Sequence, residues 1–262
     1  MNSVIIPGTN LCVSRLAFGT ASLHHLPTTR MRQTLLAAAA DFGFSHFDTS
    51  PYYGFGIAEI ELGRFFRCGQ METTVASKVG LYPPGKGAAN PFAVWGRKAA
   101  GKVVASLSRP VVDWSVNEAE RSLNRTLSTL GRDRVDILFL HEPMQDLLDV
   151  DEFLGWLARQ KRGGKIRFWG LAGSSCRYRN WISHPLAEVI QLPDGDVAVL
   201  AKAGRQPQFT YGALSSTVGT LSSTAALEAA LERNQRGAVV VSSRKAVHLR
   251  ELANATESLC RS

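Results

Sequence analysis

Three observations predict a (β/α)8 TIM barrel entered through an N-terminal β-hairpin. Short apolar strands alternate with helical patterns, and the tally fits eight strand–helix units. Three of the strands end in a polar residue, Asp48, Lys78 and His141, and these ends converge if the strands lie side by side and parallel. The 262 residues match one barrel of roughly 250 residues and supply an ample core, so a single domain over 1–262 is expected.

Residues 3–13 alternate around Pro7 and Gly8 and read as a hairpin across the bottom of the barrel. Residues 15–20 form the first barrel strand, with Gly19 leaving room for something to approach its end. A helix over about 28–41 has Leu35, Leu36 and Ala39 at helical spacing and stops at Gly43. It delivers the chain into the strand that ends at Asp48, after which Pro51 and Gly54 signal a turn presenting Tyr53. The next helix, 58–67, has an apolar side from Ile57, Ile60, Phe65 and Phe66, and Glu59 reads as a favourable charge in its first turn. Residues 74–78 are the third strand.

Residues 79–112, rich in Gly, Pro and Ala, form the longest unpatterned stretch, and loops of that length are usually functional or disordered. Phe92 and Trp95 make it either a lid over a substrate or a surface excursion packed down by its aromatics. Ser115 and Glu118 form a capping box, Ala119, Leu123, Leu127 and Leu130 trace an apolar helix face, and Gly131 ends it. Residues 135–140 are an uninterrupted apolar run, as expected of a parallel strand buried on both faces. Then come a helix at 153–162 broken by Gly163 and Gly164, strands at 165–170 and 189–192, and a short helix at 197–203. A strand at 208–212, a helix at 225–233, a strand at 237–241 and a last helix at 248–255 complete the count.

The formal charge of +8 is spread along the chain, and no nucleic-acid motif accompanies it; a phosphate-bearing cofactor accounts for it. Cys12, Cys68, Cys176 and Cys260 are scattered with no CxxC pair, which suggests a reducing compartment and neither a disulfide framework nor a zinc site. No apolar run reaches the roughly 18 residues of a membrane span, and the N-terminus lacks a charged-then-apolar signal pattern. A cytoplasmic protein with no metal, nucleic-acid or membrane partner is expected; the oligomeric state stays open.

The run Asp48-Thr49-Ser50-Pro51-Tyr52-Tyr53-Gly54, continuing through Gly56-Ile57-Ala58-Glu59-Ile60-Glu61-Leu62-Gly63, resembles the aldo-keto reductase signature, with Lys78 and His141 in the expected order. The resemblance runs from about residue 14 to 253. It implies a barrel with a nicotinamide cofactor across its mouth. Segment 122–141 resembles most closely those members that oxidise free sugars at the aldehyde carbon.

Taken singly, Asp48 could cap a loop, Tyr53 could be half-buried core, Lys78 solvated and His141 packed. Together they suit carbonyl chemistry, in which hydride reaches carbon, a proton reaches oxygen, and developing alkoxide charge needs stabilising. Tyr53 can give the proton. Its unperturbed pKa of about 10 is too high for easy exchange near neutrality, and a Lys78 ammonium beside it would lower that value. Asp48 would hold Lys78 charged and oriented, and His141 would hydrogen-bond the carbonyl oxygen. In reverse, Tyr53 is the base. No side chain donates hydride, so a cofactor must, and no Gly-rich dinucleotide fingerprint follows the first strand.

On the positions the resemblance aligns, Gln191 would hydrogen-bond the nicotinamide carboxamide and Tyr211 would stack on its ring. Gly19, Thr20 and Ser243 would line the cofactor, and His248 and Glu251 would meet adenosine. Structurally, Gln191 could instead cap a strand and Tyr211 could be core. Arg244 or Lys245, after the last strand, could meet an adenosine 2′-phosphate or be solvated charge. NADP(H) is accordingly favoured over NAD(H). Three departures weaken the cofactor site: Ala172 and Gly173 stand where the family usually has Ser-Asn, Leu252 replaces an asparagine, and the segments between Gln191, Tyr211 and Ser242 are short. The leading expectation is an NAD(P)(H)-dependent enzyme interconverting a carbonyl (aldehyde, ketone or sugar) and an alcohol. The alternatives are a sugar 1-dehydrogenase working oxidatively and a non-catalytic cofactor-binding or interaction protein on the same barrel.

Overall fold

The computed structural model describes residues 1–69, 72–84, 109–214 and 222–259. The chain opens with an antiparallel hairpin, β1 (Ser3–Ile5) on β2 (Cys12–Ser14), in the register Val4 opposite Val13. It continues through β3 (Leu16–Gly19), α1 (Thr29–Asp41), β4 (His46–Asp48), α2 (Ile57–Cys68) and β5 (Thr74–Val79). A two-residue ladder, β6 (Leu81–Tyr82) on β7 (Val111–Val112), leads to α3 (Val116–Leu130) and β8 (Val135–His141). Next come α4 (Val150–Arg162), β9 (Ile166–Ala172), the short α5 (Ser175–Tyr178), β10 (Val189–Pro193) and α6 (Val197–Lys202). The chain finishes with β11 (Phe209–Tyr211), α7 (Ser223–Arg233), β12 (Ala238–Val241) and α8 (Ala246–Leu259).

Strands β3, β4, β5, β8, β9, β10, β11 and β12 pair in parallel in that order and close into a barrel. The (β/α)8 fold read from the sequence is the observed one. Side chains alternate across each strand, and the alternation sorts the core into two shells. Ala17, Ala76, Ile137, Phe139, Ala172, Val189, Phe209, Ala238 and Val240 fill the interior, while Phe18, Phe47, Val75, Leu138, Leu140, Ile190 and Val239 face the helices. Ile6, Leu11 and Val13 of the hairpin join the inner cluster, so the hairpin plugs the amino end of the barrel. Gln208 fastens it by donating from Nε2 to the Pro7 carbonyl at 3.3 Å.

Local signals mark the helix starts. The side chains of Thr28, Asp149 and Ser222 each accept a backbone N–H at the head of α1, α4 and α7, which is why α4 begins at Val150, earlier than its apolar spacing predicts. The capping box at α3 is only half made: Ser115 Oγ accepts from the Glu118 amide, but the Ser115 amide donates to Asp113, and Glu118 pairs with Arg121. Glu59 is no mere helix-end charge. It is buried and accepts from Ser77 Oγ at 2.8 Å and Thr126 Oγ1 at 2.9 Å, tying α2 to β5 and α3.

The β6–β7 ladder gives the 79–112 stretch paired ends where the sequence showed no pattern. The lid reading rests on Phe92 and Trp95, which lie outside the described residues, as does Cys260. Among the described residues no helix is long and apolar enough to cross a membrane.

Candidate active site

The alternation that builds the inner shell also aims the strand-end polar residues inward. Along β4, His46 and Asp48 share the face opposite Phe47; along β8, His141 follows Ile137 and Phe139. Asp48, Lys78, His141, Gln191 and Tyr211 therefore meet at the carboxyl ends of the strands. With Tyr53, Gly19, Ala172, Gly173 and Ser242 they line a cavity of about 320 Å3.

Tyr53 reaches this cavity from the turn after β4. Gly54 and Phe55 both have left-handed backbone, φ 60° and 55°. For Phe55 this conformation costs on the order of 1–2 kcal/mol. Burial of its ring beside Ile57 offsets that strain. A side chain at Gly54 would collide with His24, its Cβ falling 2.5 Å from the His24 Cβ.

Asp48 is the hub. Its Oδ1 accepts from Lys78 Nζ at 2.6 Å and from Gln191 Nε2 at 3.0 Å. The Lys78 ammonium also donates to the Thr49 carbonyl at 2.9 Å. Burial draws Lys78 below its ordinary value while Asp48 opposes that drop. Lys78 Nζ stands 4.8 Å from the centre of the Tyr53 ring, and the His141 ring meets the Tyr53 ring edge-on at 5.9 Å. Burial and the Lys78 charge lower His141 to about 3, so its imidazole is neutral, and its buried Nδ1 has no hydrogen-bond partner among the described residues.

Tyr53 departs from the expectation of a lowered pKa. Burial first, then the charges of Asp48 and Glu142, push it well above the ordinary phenol value. The Lys78 charge is already engaged by Asp48 and the Thr49 carbonyl, so it does not offset this rise and the Tyr53 phenol is neutral.

The residues expected at the cofactor divide into two groups. Gly19, Gln191 and Tyr211 line the cavity. Gln191 Nε2 is engaged with Asp48, and burial raises the Tyr211 phenol. Thr20 does not line the cavity: it is fully buried, and its amide and hydroxyl both donate to the Asp48 carbonyl at 2.9 Å, clamping β3 to β4. Ser243, Arg244, His248 and Glu251 sit beyond the cavity rim, on the loop after β12 and the first turns of α8. Leu252 is buried in the main core.

One residue at the site escaped the sequence reading. Glu142, directly after His141, has φ 52°, and among the described residues only it and Phe55 are non-glycine residues with positive φ. Its amide donates to the Ala172 carbonyl at 2.7 Å, and its Oε1 accepts from the Ser174 amide at 3.1 Å. Its carboxylate fills the space a side chain at Gly173 would need: a Cβ there would fall 2.5 Å from Glu142 Cδ. The departure to glycine at 173, read together with an acidic residue after His141, was the available signal.

The family model described as "Aldo/keto reductase family" matches residues 15–192. Among curated proteins the chain is similar to L-galactose dehydrogenase of Arabidopsis thaliana, 29% identical over 173 residues, covering 63% of this chain and 46% of that one. It is also similar to the NADP(+) aldo-keto reductase yakc of Schizosaccharomyces pombe, 27% identical over 171 residues, covering 63% and 44%. The chain thus spans less than half the length of these curated relatives. Among solved structures, an aldo-keto reductase of Bacillus halodurans in its holo form superposes with a TM-score of 0.79 at 17% identity, over 98% of this chain and 91% of that one. This last likeness speaks to the fold.

Proposed function

The chain belongs to the aldo/keto reductase family, whose members use a nicotinamide cofactor, and we propose that it interconverts a carbonyl and an alcohol, drawing on NADP(H) in preference to NAD(H). The observation that carries this reading is the convergence of Asp48, Tyr53, Lys78 and His141 on one cavity at the carboxyl end of the barrel.

The residues present fit such a cofactor. The cavity of about 320 Å3 suits a nicotinamide ring with a small substrate; ligand cavities run from roughly 300 to 1,000 Å3. The unpartnered His141 Nδ1 marks a polar group with spare hydrogen-bonding capacity at this site. Gln191 and Tyr211 would hold the nicotinamide, and Ser243, Arg244, His248 and Glu251 the adenosine end. When bound, the cofactor supplies or accepts the hydride. Tyr53 holds the proton at its hydroxyl and delivers it to the substrate oxygen. Lys78, kept charged by Asp48, offsets the negative charge left on Tyr53. His141, held neutral near neutral pH by burial and the Lys78 charge, donates a hydrogen bond to the substrate oxygen without bringing a competing charge. In the oxidative direction Tyr53 takes the proton back.

A sugar substrate is the favoured finer reading. Its support is the likeness of segment 122–141 to sugar-oxidising members and the sugar dehydrogenase among the relatives. The preference for NADP(H) draws on Arg244 and on the NADP(+) in the yeast relative's name. A single domain and a cytoplasmic location belong to the same proposal.

The test is absorbance of the reduced cofactor in the presence of aldehydes and free sugars, for the unaltered chain and for Tyr53→Phe. Turnover in the former and a loss of about 10²–10⁴-fold in the latter, with cofactor affinity unchanged, is the expected result. Equal turnover in both would remove Tyr53 from the mechanism. A chain that binds cofactor yet turns over nothing would favour the non-catalytic alternative.

A further inference from the structure

We propose that Glu142 sets the chain's preference between the two redox forms of its cofactor, its carboxylate favouring the positively charged, oxidised nicotinamide ring. The proposal rests on the nicotinamide reading above and concerns a residue outside the expected cofactor set.

Three features of the geometry place this charge deliberately. The Glu142 backbone is held in a left-handed conformation that a glutamate rarely adopts, and the hydrogen bond its amide donates to the Ala172 carbonyl keeps it there. Gly173, with φ 138°, lines the cavity and has no side chain, and the Glu142 carboxyl group takes that place. The Ser174 amide then donates to Oε1 and fixes the orientation. The result is a fixed carboxylate packed against Gly173, whose backbone lines the cavity.

Burial, and after it Asp196, raise Glu142 above the ordinary carboxylate value, while the Ser174 amide and Arg177 hold the charged form. Arg177 approaches Oε2 only to 3.9 Å and is half exposed, so solvent screens that pairing. Burial chiefly raises the Tyr53 and Tyr211 phenols, and the Glu142 charge adds to both, so the carboxylate lies within electrostatic range of two rings that line the cavity proposed for the nicotinamide. The reduced ring is neutral and the oxidised ring cationic. A fixed carboxylate therefore discriminates between them, and stabilises the positive charge that develops as hydride leaves.

The experiment is a fluorescence titration of the purified chain with NADP+ and, separately, NADPH, for the unaltered protein, Glu142→Gln and Glu142→Ala. Glu142→Gln keeps an acceptor for the Ser174 amide and removes the charge. The expected result is about fivefold weaker binding of NADP+ with NADPH within twofold, a change of ratio that a merely structural role would not produce. Glu142→Ala should shift the ratio in the same direction. An unchanged ratio in both variants, or equal weakening of both forms, overturns the role of Glu142 and leaves the nicotinamide site standing. An unaltered chain that binds neither form overturns the nicotinamide reading and this proposal together.

Discussion

The two sides of the barrel mouth are built differently. On the side of β4, β5 and β10, Asp48, Lys78 and Gln191 are buried and locked to one another, and Thr20 clamps the Asp48 backbone from β3. On the side after β12, Arg244, Lys245, His248 and Glu251 are exposed, and among the described residues Ser243 Oγ hydrogen-bonds within its own turn, to the Lys245 backbone. The family match ends at residue 192, between the two. The first side is held by its own buried contacts, so the residues proposed for catalysis also serve stability. The second side is exposed, so the residues proposed for the cofactor's phosphate end add little to stability.

The sharpest way to break this contrast is Lys78→Met. It leaves the buried Asp48 carboxylate without its cation, and breaking a buried pair in this way costs roughly 3–5 kcal/mol. Urea unfolding should show that loss, and turnover should fall by about as much as in Tyr53→Phe. A stability change below about 0.5 kcal/mol would mean that the tetrad is no more integral to the fold than a surface charge.

Acid should act on the buried side alone. His46 lies in the barrel interior, stacked on Phe209 and hydrogen-bonded to Thr74, and burial lowers its pKa to about 4. The unfolded chain binds a proton there near 6.5 and the folded chain does not, so folding stability falls as pH drops from about 6.5 to about 4. The full cost is roughly 3 kcal/mol below that window. His141, lowered further to about 3, adds a comparable slope over the same window, so unfolding midpoints in His46→Gln should lose about half of the slope these two histidines give. A slope unaltered by that substitution would place the acid sensitivity elsewhere.

The smallest effect is expected on the exposed side. Arg244→Ala should weaken NADPH binding by about tenfold, leave NADH binding unchanged, and alter stability by less than about 0.5 kcal/mol. Equal loss for both cofactors would remove Arg244 from any contact with a 2′-phosphate.

Much of the site was legible before folding because its residues sit at strand ends. A period of two fixes which side chains face inward, and an apolar run ending in a polar residue marks where the inner face reaches solvent; Asp48, Lys78 and His141 carry both marks. Tyr53 was legible through its turn residues. Thr20 was not: its neighbour Gly19 lines the cavity, but the same alternation turns Thr20 away to the β4 backbone. Nor was the direction of the Tyr53 shift, because it depends on how Lys78 divides its charge between Asp48 and the phenol.

By itself, then, the sequence determined the barrel, its hairpin plug and the convergence of the four catalytic candidates, since periodicity and turn chemistry act over a few residues. Tertiary structure alone decided that Glu59 ties three elements together, that Thr20 is a clamp and that Glu142 fills the space over Gly173. Each of those outcomes rests on contacts between segments distant along the chain, where packing and hydrogen-bond satisfaction, rather than local pattern, choose the partner.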